Sequence, residues 1–480
     1  MGAACANVRT LQPSAARVVK RGVFPRACDA MSTLNELAAV LGAGLITDRE
    51  VIEGYRHDRT AWAQPGEPLA LVRPASTADV QAIARWSTRH RVPLVPRGAG
   101  SGISGGATAS DGALIVSFER MQQIIEVDTA AMLARVQPGV MNAALKRAVE
   151  EHGLWYPPDP SSYEISSIGG NVATNAGGLC CVKYGVTADY VLGLEAVLAD
   201  GSVVRSGGKS RKDVAGYDLT RLLVGSEGTL ALITEVTVRL RRRPQPARTL
   251  VATFDTLEAS GEAVSAIVRS VDASLLEIMD RAALRAVERH ARLDLDTAAA
   301  AMLIAQSDAA SDVELQRIAA ACEAAGGHGI AVADNETESS LLLRARRLAY
   351  PAVEKLGSVL VDDVAVPISK LAQMFARIER IAEQSGAQIA TVAHAGDGNL
   401  HPLVVFDRND PRDEVRALAV FEQLMSEALA LGGTITGEHG VGTLKRAYLP
   451  KQLGDDALAL QRRIKLAFDP LGLLNPGKVL

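Results

Sequence analysis

The chain has 480 residues, and because a domain typically spans about 100–200 residues, this length predicts two or three domains. Hydrophobic residues make up 48% of the sequence and charged residues 22%, which excludes a mainly disordered, collagenous or coiled-coil chain. The 51 basic and 55 acidic residues give a net charge of −4. The chain therefore has no overall positive field for a nucleic acid, and we expect no nucleic acid partner.

The five cysteines are odd in number, and no two are spaced as Cys-x-x-Cys. This pattern is typical of a protein from a reducing compartment. It argues against a disulfide scaffold, a zinc ribbon or an iron–sulfur cluster. No uninterrupted apolar run reaches the roughly 18 residues that a membrane-spanning helix needs. We therefore expect a soluble, cytoplasmic protein, with peripheral membrane contact left open.

Residues 1–30 differ from the rest because they are rich in arginine and contain a single acidic residue, Asp29. A basic, acid-poor leader resembles a transit peptide and would imply a mitochondrial location in a eukaryotic source. The alternative, which we favour, is a disordered tail or an upstream start, with the working chain beginning near Met31.

Residues 31–245 alternate short β-rich runs with helical stretches, which predicts a first domain. Asp200-Gly201 lies between two such runs and indicates a hairpin turn. The segment Arg241–Arg248 combines clustered charge with two prolines, which is typical of a linker or a domain edge. A nucleic-acid patch is the less favoured interpretation because no aromatic residues interleave with these arginines. Early elements predicted here are the strand Leu69–Arg73, the helix Thr77–His90 and the strands Pro93–Pro96 and Ala113–Phe118.

Residues 246–454 predict a second domain of the α+β type, in which helices separate most of the strands. A third segment, residues 455–480, ends in a loop-rich tail from Leu466 to Leu480 because Pro470, Gly472 and Asn475-Pro476-Gly477 favour turns. The strands predicted in the second domain are Thr249–Phe254, Leu275–Met279, Ala300–Gln306, Gly329–Ala333, Val359–Val366 and Gln388–Ala393. The predicted helices are Leu257–Val271, Ala282–Ala291, Val313–Ala324 and Ser369–Gln384.

A first glycine-rich loop, Gly98–Gly106, places five glycines in nine residues directly after a predicted strand. Gly100, Gly102 and Gly105 fit the spacing of a dinucleotide fingerprint, but such a fingerprint should open a helix. Here another strand follows, so the Rossmann interpretation fails. A strand–loop–strand remains, whose backbone amides can bind an anion, and a turn without a ligand is the alternative.

A second glycine-rich segment, Ile168–Gly178, follows Trp155–Ser162 and consists mainly of small, amide and hydroxyl residues. We interpret it as a loop whose surface can lie flat against a planar polar ring, which suits a flavin. Two shorter motifs follow, Gly216–Leu219 and Gly225–Thr229.

The ordered series PRGAGSGISGG, YPPDPSS, GGNVATNAGG, KYG, GYDL and GSEGTL resembles the FAD-linked D-2-hydroxyacid dehydrogenases, a family within the vanillyl-alcohol oxidase superfamily. The family includes D-lactate dehydrogenases and the FAD subunit of glycolate oxidase, and the resemblance covers about residues 31–480. It implies an α+β fold: a two-part FAD-binding domain of the vanillyl-alcohol oxidase type (31–245) with a ferredoxin-like cap (246–454). Residues 455–480 would return to the FAD-binding domain.

The same resemblance implies which residues contact FAD. Those expected around the pyrophosphate are Pro96, Arg97, Gly98, Ala99, Gly100, Ser101 and Gly105. Those expected to contact other parts of FAD are Asp159, Ser161, Gly170, Asn171, Thr174, Asn175, Gly178, Glu227, Gly228 and Asn475. Relatives that attach FAD covalently often carry a histidine in the first loop; this loop has none, so we expect FAD to bind non-covalently.

A histidine cluster follows in Ala393–His401, centred on Asp397-Gly398, a favoured two-residue hairpin turn. If that turn forms, His394 lies directly opposite His401 on one face of the hairpin. Glu438 could complete a set of two histidines and one carboxylate for zinc, manganese or iron. A histidine-bearing hairpin at a domain boundary, without a metal, is the alternative.

The motifs HAGDGNLH and GEHGVG are similar to the metal and catalytic motifs of the family. The resemblance implies metal ligands at His394, His401 and Glu438 and a general base at His439. It also implies that Arg346 binds the substrate carboxylate through its forked guanidinium. The alternative for the arginines of Leu342–Tyr350 is a solvated helix face.

The substrate is predicted from one departure from the family pattern. Relatives that act on D-2-hydroxyglutarate have a lysine near Val361 and an asparagine at the position of Leu403, so we expect a small monocarboxylate, D-lactate or glycolate. Electrons would leave for a quinone, a cytochrome or an electron-transfer flavoprotein. The alternatives are the FAD subunit of a multi-subunit glycolate oxidase, a D-2-hydroxyglutarate dehydrogenase and, from another class, a metal-dependent hydrolase. The oligomeric state is left open, with a dimer as one option.

Overall fold

The computed structural model describes residues 27–60 and 62–480. The expected leader therefore lies outside the described residues, except for residues 27–30, which begin the first helix. The first elements, in chain order, are α1 (Ala27–Leu41), β1 (Leu45–Ile46), α2 (Arg49–Glu53), β2 (Ala70–Val72), α3 (Thr77–His90), β3 (Leu94–Arg97) and β4 (Leu114–Ser117).

These strands form a four-stranded sheet in the order β1-β2-β4-β3, in which β4 runs parallel to both β2 and β3. The predicted helix α3 is confirmed; Ser76 caps it by accepting a hydrogen bond from the Asp79 amide. Its apolar face, including Val80 and Ile83, is fully buried. The predicted strand–loop–strand is also confirmed, so the first glycine-rich loop leaves the sheet at the carboxyl end of β3.

A second sheet follows and packs on its own core around the buried Tyr156 and Tyr190. Its strand order is β5-β6-β10-β8-β9, all antiparallel, and the β8–β9 hairpin turns at Asp200-Gly201 as predicted. The elements of this part are β5 (Ile124–Asp128), β6 (Leu133–Val136), α4 (Asn142–Glu150), β7 (Leu154–Trp155), α5 (Ile168–Thr174), α6 (Cys181–Tyr184), β8 (Val191–Val197), β9 (Val203–Gly207), α7 (Leu219–Leu223), β10 (Leu232–Arg239) and β11 (Arg241–Arg242).

Helix α5 corrects the prediction of a loop for the second glycine-rich segment. The Ser167 hydroxyl accepts a hydrogen bond from the Gly170 amide and caps the helix, which offsets the poor helix propensity of two glycines. The helix ends at Asn175, which has a left-handed conformation with φ of 53°. The small residues therefore present a helix N-terminus, and not an irregular loop, to the adjacent cavity.

The remaining elements form the cap, an eight-stranded sheet covered by helices on both faces, except that the last helix also packs through Ile464 and Phe468 on the core of the second sheet. They are β12 (Arg248–Phe254), α8 (Leu257–Ser270), β13 (Leu275–Asp280), α9 (Arg281–Ala291), β14 (Ala301–Ser307), α10 (Val313–Ala324), β15 (His328–Val332), α11 (Glu336–Arg347), α12 (Ala349–Val353), β16 (Ser358–Val361), β17 (Val364–Ala365), α13 (Leu371–Ser385), β18 (Gln388–His394), β19 (Asn399–Phe406), α14 (Pro411–Ala430) and α15 (Leu449–Phe468).

The cap strands follow the order β15-β12-β14-β13-β18-β19-β16, and β17 pairs with β19. The first four strands and helices α8 and α10 form a β-α-β-β-α-β unit with its strands antiparallel, which is the expected ferredoxin-like arrangement. Helices α8, α10, α13 and α14 contribute to the core on one face, and α9 and α12 to the core on the other. The sheet centre is thus inaccessible to water, and polar groups there need partners within the protein.

Two predictions for the second half need correction. The single strand predicted at Val359–Val366 is divided into β16 and β17 at Asp362 and Asp363, both fully buried. The tail predicted from Leu466 begins later, because α15 continues to Phe468 with a kink at Gly454.

The last residues return to the first sheet. Leu474 forms a parallel bridge with Leu94 of β3, and the Asn475 amide donates to the Leu94 carbonyl at 2.7 Å. Helix α1 and the last residues therefore both pack on the sheet that carries the first glycine-rich loop.

Candidate active site

A cavity of about 740 Å³ lies between the two glycine-rich segments and the cap sheet, within the range of about 300–1,000 Å³ typical of small-molecule sites. Most residues expected to contact FAD line it: Pro96, Arg97, Gly98, Ala99, Gly100, Ser101, Ser161, Gly170, Asn171, Thr174, Glu227 and Gly228. His439, Arg346, His401 and Glu438 line the same cavity. The structure thus brings the two groups of predicted site residues to one space.

The first glycine-rich loop is shaped around a buried cation. Arg97 is 9% exposed, and its Nη1 donates to the His57 carbonyl at 2.5 Å. Gly100 has a φ of +72°, and a Cβ at this position would overlap the Arg97 guanidinium, so only glycine fits here. Burial lowers the pKa of Arg97, but the guanidinium keeps a positive charge under ordinary conditions. Loop amides and this charge form a wall suited to an anionic group such as a pyrophosphate.

Five of the residues expected at FAD lie behind the cavity wall: Gly105, Asp159, Asn175, Gly178 and Asn475. The Asn475 amide group donates to the Gly106 and Glu227 carbonyls at 2.9 and 2.8 Å. Asp159 accepts a hydrogen bond from the Cys180 amide at 3.2 Å, and burial raises its pKa. Of these five, Asn475 thus contacts backbone that lines the cavity, whereas Asp159 contacts Cys180, which does not line it.

Glu227 lines the cavity and connects the first half of the chain to the segment after His439. Its two carboxylate oxygens accept hydrogen bonds from the Val441 and Gly442 amides at 2.7 and 2.9 Å. Burial raises the pKa of Glu227 to about 7, although these two hydrogen bonds oppose the shift. The carboxyl group therefore fixes the loop that follows the predicted base.

The histidine hairpin has a different register from the prediction. His394 pairs with Asn399, and His401 pairs with Val392, because residues 395–397 form a 3₁₀ turn longer than a two-residue turn. The shift is by two residues, so both histidines stay on one face of the sheet. Their ring centroids are 5.0 Å apart. The predicted pairing was wrong, and the predicted proximity is confirmed.

Glu438 completes the cluster. Its Oε1 lies 3.3 Å from His394 Nε2 and 3.4 Å from His401 Nε2, and one ligand atom from each residue lies within 4.8 Å of the others. His394 Nδ1 lies 2.7 Å from Oε1 of the buried Glu277. A histidine that donates Nδ1–H to a carboxylate presents its Nε2 lone pair to a metal ion, which is the common arrangement in metal sites.

The charges of the cluster favour a cation. Burial alone would lower the pKa of His394, but Glu277 and Glu438 raise it to about 10. Glu438 has a pKa well below its usual value, because His394 and His401 outweigh the effect of its burial. Two carboxylates thus stabilise a positive charge between them, whether it is a proton or a divalent ion, and the donor set fits such an ion.

Asp363 holds the loop that carries Glu438 and His439. Its carboxylate accepts hydrogen bonds from the amides of Gly437, Glu438 and His439 at 3.0, 3.1 and 2.8 Å. The Thr436 hydroxyl donates to it at 2.6 Å, and the Asn399 side chain at 2.8 Å. Burial would raise the pKa of Asp363, but His439 and Lys445 lower it below its usual value. Sequence reasoning missed this role, and the only available signal was an acidic pair inside a predicted strand.

His439 lies at the cavity edge beside the cluster of His394, His401 and Glu438. Its ring stacks on that of His401, with centroids 4.9 Å apart and planes inclined by 16°. Burial lowers the pKa of His439 to about 4. The imidazole is therefore placed to accept a proton from a ligand in the cavity.

Arg346 is buried at the end of α11, with 6% exposure, and lines the cavity. Its Nε lies 2.7 Å from Glu277 Oε2 as an ion pair, although the N–H is not aligned for a hydrogen bond. Its Nη2 is buried without a hydrogen-bond partner among the described residues. Arg344 and Arg347 are exposed, as expected for a solvated helix face, although Arg347 also lines the cavity.

One wall of the cavity includes an apolar pair. Val361 of β16 and Leu403 of β19 are direct cross-strand partners, and both line the cavity together with Val392. The sequence analysis did not identify Arg59 and Tyr350, which also line the cavity. No motif marks these two residues: Arg59 lies between α2 and β2, where its amide donates to the Gly102 carbonyl at 2.8 Å, and Tyr350 lies on α12 of the cap.

Solved structures with the same fold are distant in sequence. p-Cresol methylhydroxylase with substrate bound has a TM-score of 0.78 at 18% identity, with 95% of this chain and 97% of that chain covered. Alkyldihydroxyacetonephosphate synthase has a TM-score of 0.73 at 19% identity, with 93% and 85% covered. These likenesses show the fold, which is that of the vanillyl-alcohol oxidase type.

Two family models match the chain. The first, described as "FAD binding domain", matches residues 68–207. The second, described as "FAD linked oxidases, C-terminal domain", matches residues 243–479. The cofactor of this fold is therefore FAD, and the glycine-lined cavity with Arg97 fits a group that carries a pyrophosphate.

The curated relatives are closer. The glycolate oxidase subunit GlcD of Bacillus subtilis (strain 168) is 42% identical over 430 residues, which cover 88% of this chain and 91% of that protein. The D-lactate dehydrogenase of Archaeoglobus fulgidus is 35% identical over 457 residues, which cover 94% and 99%. The chain belongs to the FAD-linked D-2-hydroxyacid dehydrogenase family and is an FAD-dependent oxidoreductase. A metal-dependent hydrolase, which the histidine cluster alone left open, is not supported.

Within residues 27–60 and 62–480, no helix is both long enough and apolar enough to span a bilayer.

Proposed function

We propose that this enzyme oxidises a small D-2-hydroxy monocarboxylate, D-lactate or glycolate, to the 2-oxo acid with non-covalently bound FAD. The observation that carries the proposal is the convergence of three groups on one end of the cavity. These are the partnerless face of Arg346, the His394–His401–Glu438 cluster and the His439 ring. A 2-hydroxy acid offers a carboxylate, a hydroxyl and an α-hydrogen to match them.

The residues have separate roles in this proposal. Arg346 binds the substrate carboxylate through its guanidinium, because this group recognises planar oxyanions. His439 accepts the hydroxyl proton on its ring nitrogen as general base. A divalent ion (zinc, manganese or iron) held by His394, His401 and Glu438 would lower the pKa of the substrate hydroxyl. FAD, when bound, supplies the acceptor for the hydride that leaves the α-carbon.

FAD would occupy the glycine-lined part of the same cavity. The backbone of Pro96–Ser101 and the Arg97 charge would meet the pyrophosphate, and the α5 N-terminus with Gly170, Asn171 and Thr174 would meet the flavin. The residues behind the wall, such as Asn475, would act by holding this backbone.

The apolar pair Val361 and Leu403 supports a monocarboxylate over D-2-hydroxyglutarate. A second carboxylate near this pair would lose its hydration without gaining a charged or hydrogen-bonding partner from either side chain. A methyl group or a hydrogen at the same place has no such cost, which favours lactate and glycolate.

The test is anaerobic mixing of the purified FAD enzyme with D-lactate, glycolate, L-lactate or D-2-hydroxyglutarate, while flavin absorbance is recorded. We expect rapid bleaching with D-lactate or glycolate and little with the other two acids. Bleaching that is fastest with D-2-hydroxyglutarate would overturn the proposed substrate class. A flavin that none of the four acids reduces would overturn the proposed reaction.

A second candidate is an FAD subunit that turns over only within a larger assembly. It is favoured by one observation: the relatives of Bacillus subtilis and Escherichia coli, 42% and 39% identical, are named subunits of glycolate oxidase. In that case glycolate should still bleach the flavin of the isolated chain. Steady-state turnover with a quinone, a cytochrome or an electron-transfer flavoprotein would require co-expressed partners. Turnover of the isolated chain at the co-expressed rate would exclude this candidate.

A further inference from the structure

Glu277 joins two groups that the proposed function uses for different purposes. It lies on β13 in the middle of the cap sheet and has no exposed surface. Its Oε1 is 2.7 Å from Nδ1 of His394, and its Oε2 is 2.7 Å from Nε of Arg346. Glu277 and His394 are also direct cross-strand partners in the β13–β18 pairing, so the backbone fixes their separation.

The surroundings of Glu277 make a carboxylate costly. Its neighbours on the same face of β13, Leu275 and Met279, are buried apolar residues. A buried carboxylate loses hydration, and only close partners offset this loss. An apolar residue could pack at such a position without that cost, so packing alone does not explain a glutamate here. The two contacts of its carboxylate do, because both lead to the active site.

We propose that Glu277 is a positioning residue that sets the mutual placement of the metal-ligand histidine and the carboxylate-binding arginine. This inference rests on the proposed function. By accepting the Nδ1 proton, Glu277 selects the tautomer of His394 whose Nε2 lone pair faces Glu438. By pairing with Nε, it anchors the Arg346 guanidinium at the cavity wall.

One rigid carboxylate is suited to this double task. A 2-hydroxy acid that reaches both the metal and Arg346 needs them at a fixed separation, and small displacements of such groups are costly in rate. If two independent residues held His394 and Arg346, their relative position would depend on the motion of two side chains. With Glu277 it depends on one side chain, in a sheet interior where neighbours on both faces confine it.

The experiment compares Glu277→Gln, Glu277→Asp and the wild type as FAD-loaded full-length proteins. Glutamine offers one acceptor and one donor, so it cannot accept from both partners, and aspartate is too short to reach both. The first readout is Zn²⁺ affinity, by competition with a chelator. We expect a loss of about 10–100-fold in both variants, which is typical when a partner of a metal ligand is removed.

The second readout is the affinity of metal-free enzyme for oxalate, a redox-inert carboxylate, from the perturbation of the flavin spectrum. Because the metal is absent, this affinity reports the Arg346 side, and we expect a loss of about tenfold, equal to about 1.4 kcal/mol. The amount of bound FAD should not change. If Glu277→Gln does not fold, Glu277→Asp carries the same test.

Glu195→Gln is the matched control. Glu195 is a buried strand glutamate that accepts from Thr77 and Thr234 and pairs with Arg205, away from the cavity. It should lose stability without losing Zn²⁺ or oxalate affinity; equal losses in this control would overturn the positioning role. Wild-type affinities for both probes in either Glu277 variant would also overturn it.

The wild type separates this inference from the proposed function. A wild type that binds oxalate but no Zn²⁺ would refute the proposed metal site, while the oxalate comparison would still decide the Arg346 side of Glu277. A wild type that binds both probes but is not reduced by any 2-hydroxy acid would refute the proposed reaction and leave the positioning result intact. A wild type that binds neither probe would overturn both.

Discussion

Replacement of Asp363 by asparagine tests whether one buried carboxylate holds the active-site loop. Asp363 has no exposed surface, and its oxygens accept five hydrogen bonds, three of them from successive amides of residues 437–439. Asparagine keeps the size of the side chain, but it removes the charge and turns one acceptor into a donor. In either orientation its NH₂ group then faces groups that are themselves donors.

The size of the destabilisation expected in Asp363→Asn follows from the types of hydrogen bond that the substitution changes. Hydrogen bonds to a charged group contribute about 1.5–3 kcal/mol each, and those between neutral groups about 0.5–1.5 kcal/mol. Four retained contacts that each weaken by about 1 kcal/mol, with one lost outright at about 1.5–3 kcal/mol, sum to about 5.5–7 kcal/mol. Relaxation of the loop reduces this sum, and removing one partner of a buried pair typically costs about 3–5 kcal/mol, which we take as the local cost. Total stabilities are typically about 5–15 kcal/mol, so we expect a folded protein with a weakened loop.

Hydrogen exchange with mass spectrometry is the suitable assay, because a multi-domain protein does not have one unfolding equilibrium. In peptides that contain residues 437–439, a cost of about 3 kcal/mol should increase the exchange rate about 100-fold, at about 1.4 kcal/mol per factor of ten. Asp48→Asn is the control: Asp48 is exposed and caps α2 through one amide, and asparagine is an equally good cap. A folded Asp363→Asn protein with unchanged protection at residues 437–439 would refute the reasoning.

Four further predictions concern the site and its surroundings. His439→Ala should keep FAD but lose substrate-driven bleaching under anaerobic conditions, because the proposed base is gone. His394→Ala should lose bound divalent metal in elemental analysis, since one of three ligands is missing. The double variant Val361→Lys with Leu403→Asn should gain bleaching by D-2-hydroxyglutarate and lose it with D-lactate, because a cation and an amide replace the apolar pair. Glu227→Gln should remove a fall in the stability of the loop at Val441 and Gly442 between about pH 4.5 and pH 7, measured in FAD-free protein by hydrogen exchange corrected for its intrinsic pH dependence.

The direction of the pH dependence predicted for Glu227 follows from the linkage between protonation and folding. Its pKa is raised to about 7 in the folded protein against about 4.3 for an exposed glutamate. Between these values the folded state binds the proton and the unfolded state does not, so the free energy of unfolding falls as pH rises. A shift of this size corresponds to at most about 4 kcal/mol.

Each variant has an outcome that would contradict it. Normal flavin reduction in His439→Ala would show that His439 is not the general base. The control for loss of a histidine is His328→Ala, because His328 is half-exposed. Unchanged metal content in His394→Ala would count against its role as a ligand. The specificity prediction fails if the double variant keeps its preference for D-lactate, and the linkage prediction fails if Glu227→Gln shows the same pH slope as the wild type.

Much of the fold was predictable because local patterns determine it. The capped amphipathic segment Thr77–His90 and the segment Val313–Ala324 form helices with the predicted bounds. The strands around the first glycine-rich loop also agree with the prediction to within two residues. Failures occurred where a few side chains override a pattern. Ser167 caps a glycine-containing segment into helix α5, and the buried Asp362 and Asp363 interrupt a β-rich run.

The sequence by itself determined which chemical groups are present and roughly where the backbone can approach a ligand. Glycine spacing, turn residues and the positions of His394, His401 and His439 express short-range rules, which act over a few residues. Because a strand alternates its faces every second residue, even a wrong hairpin register kept two histidines on one side.

Only the tertiary structure decided which buried charges meet. Glu277 lies 117 positions from His394, and Asp363 lies 76 positions from His439. Their contacts depend on the strand order β14-β13-β18-β19-β16 and on the packing of α11, which no local pattern encodes. The low polarity of the sheet interior then makes these contacts strong, because a buried carboxylate without a partner would destabilise the fold.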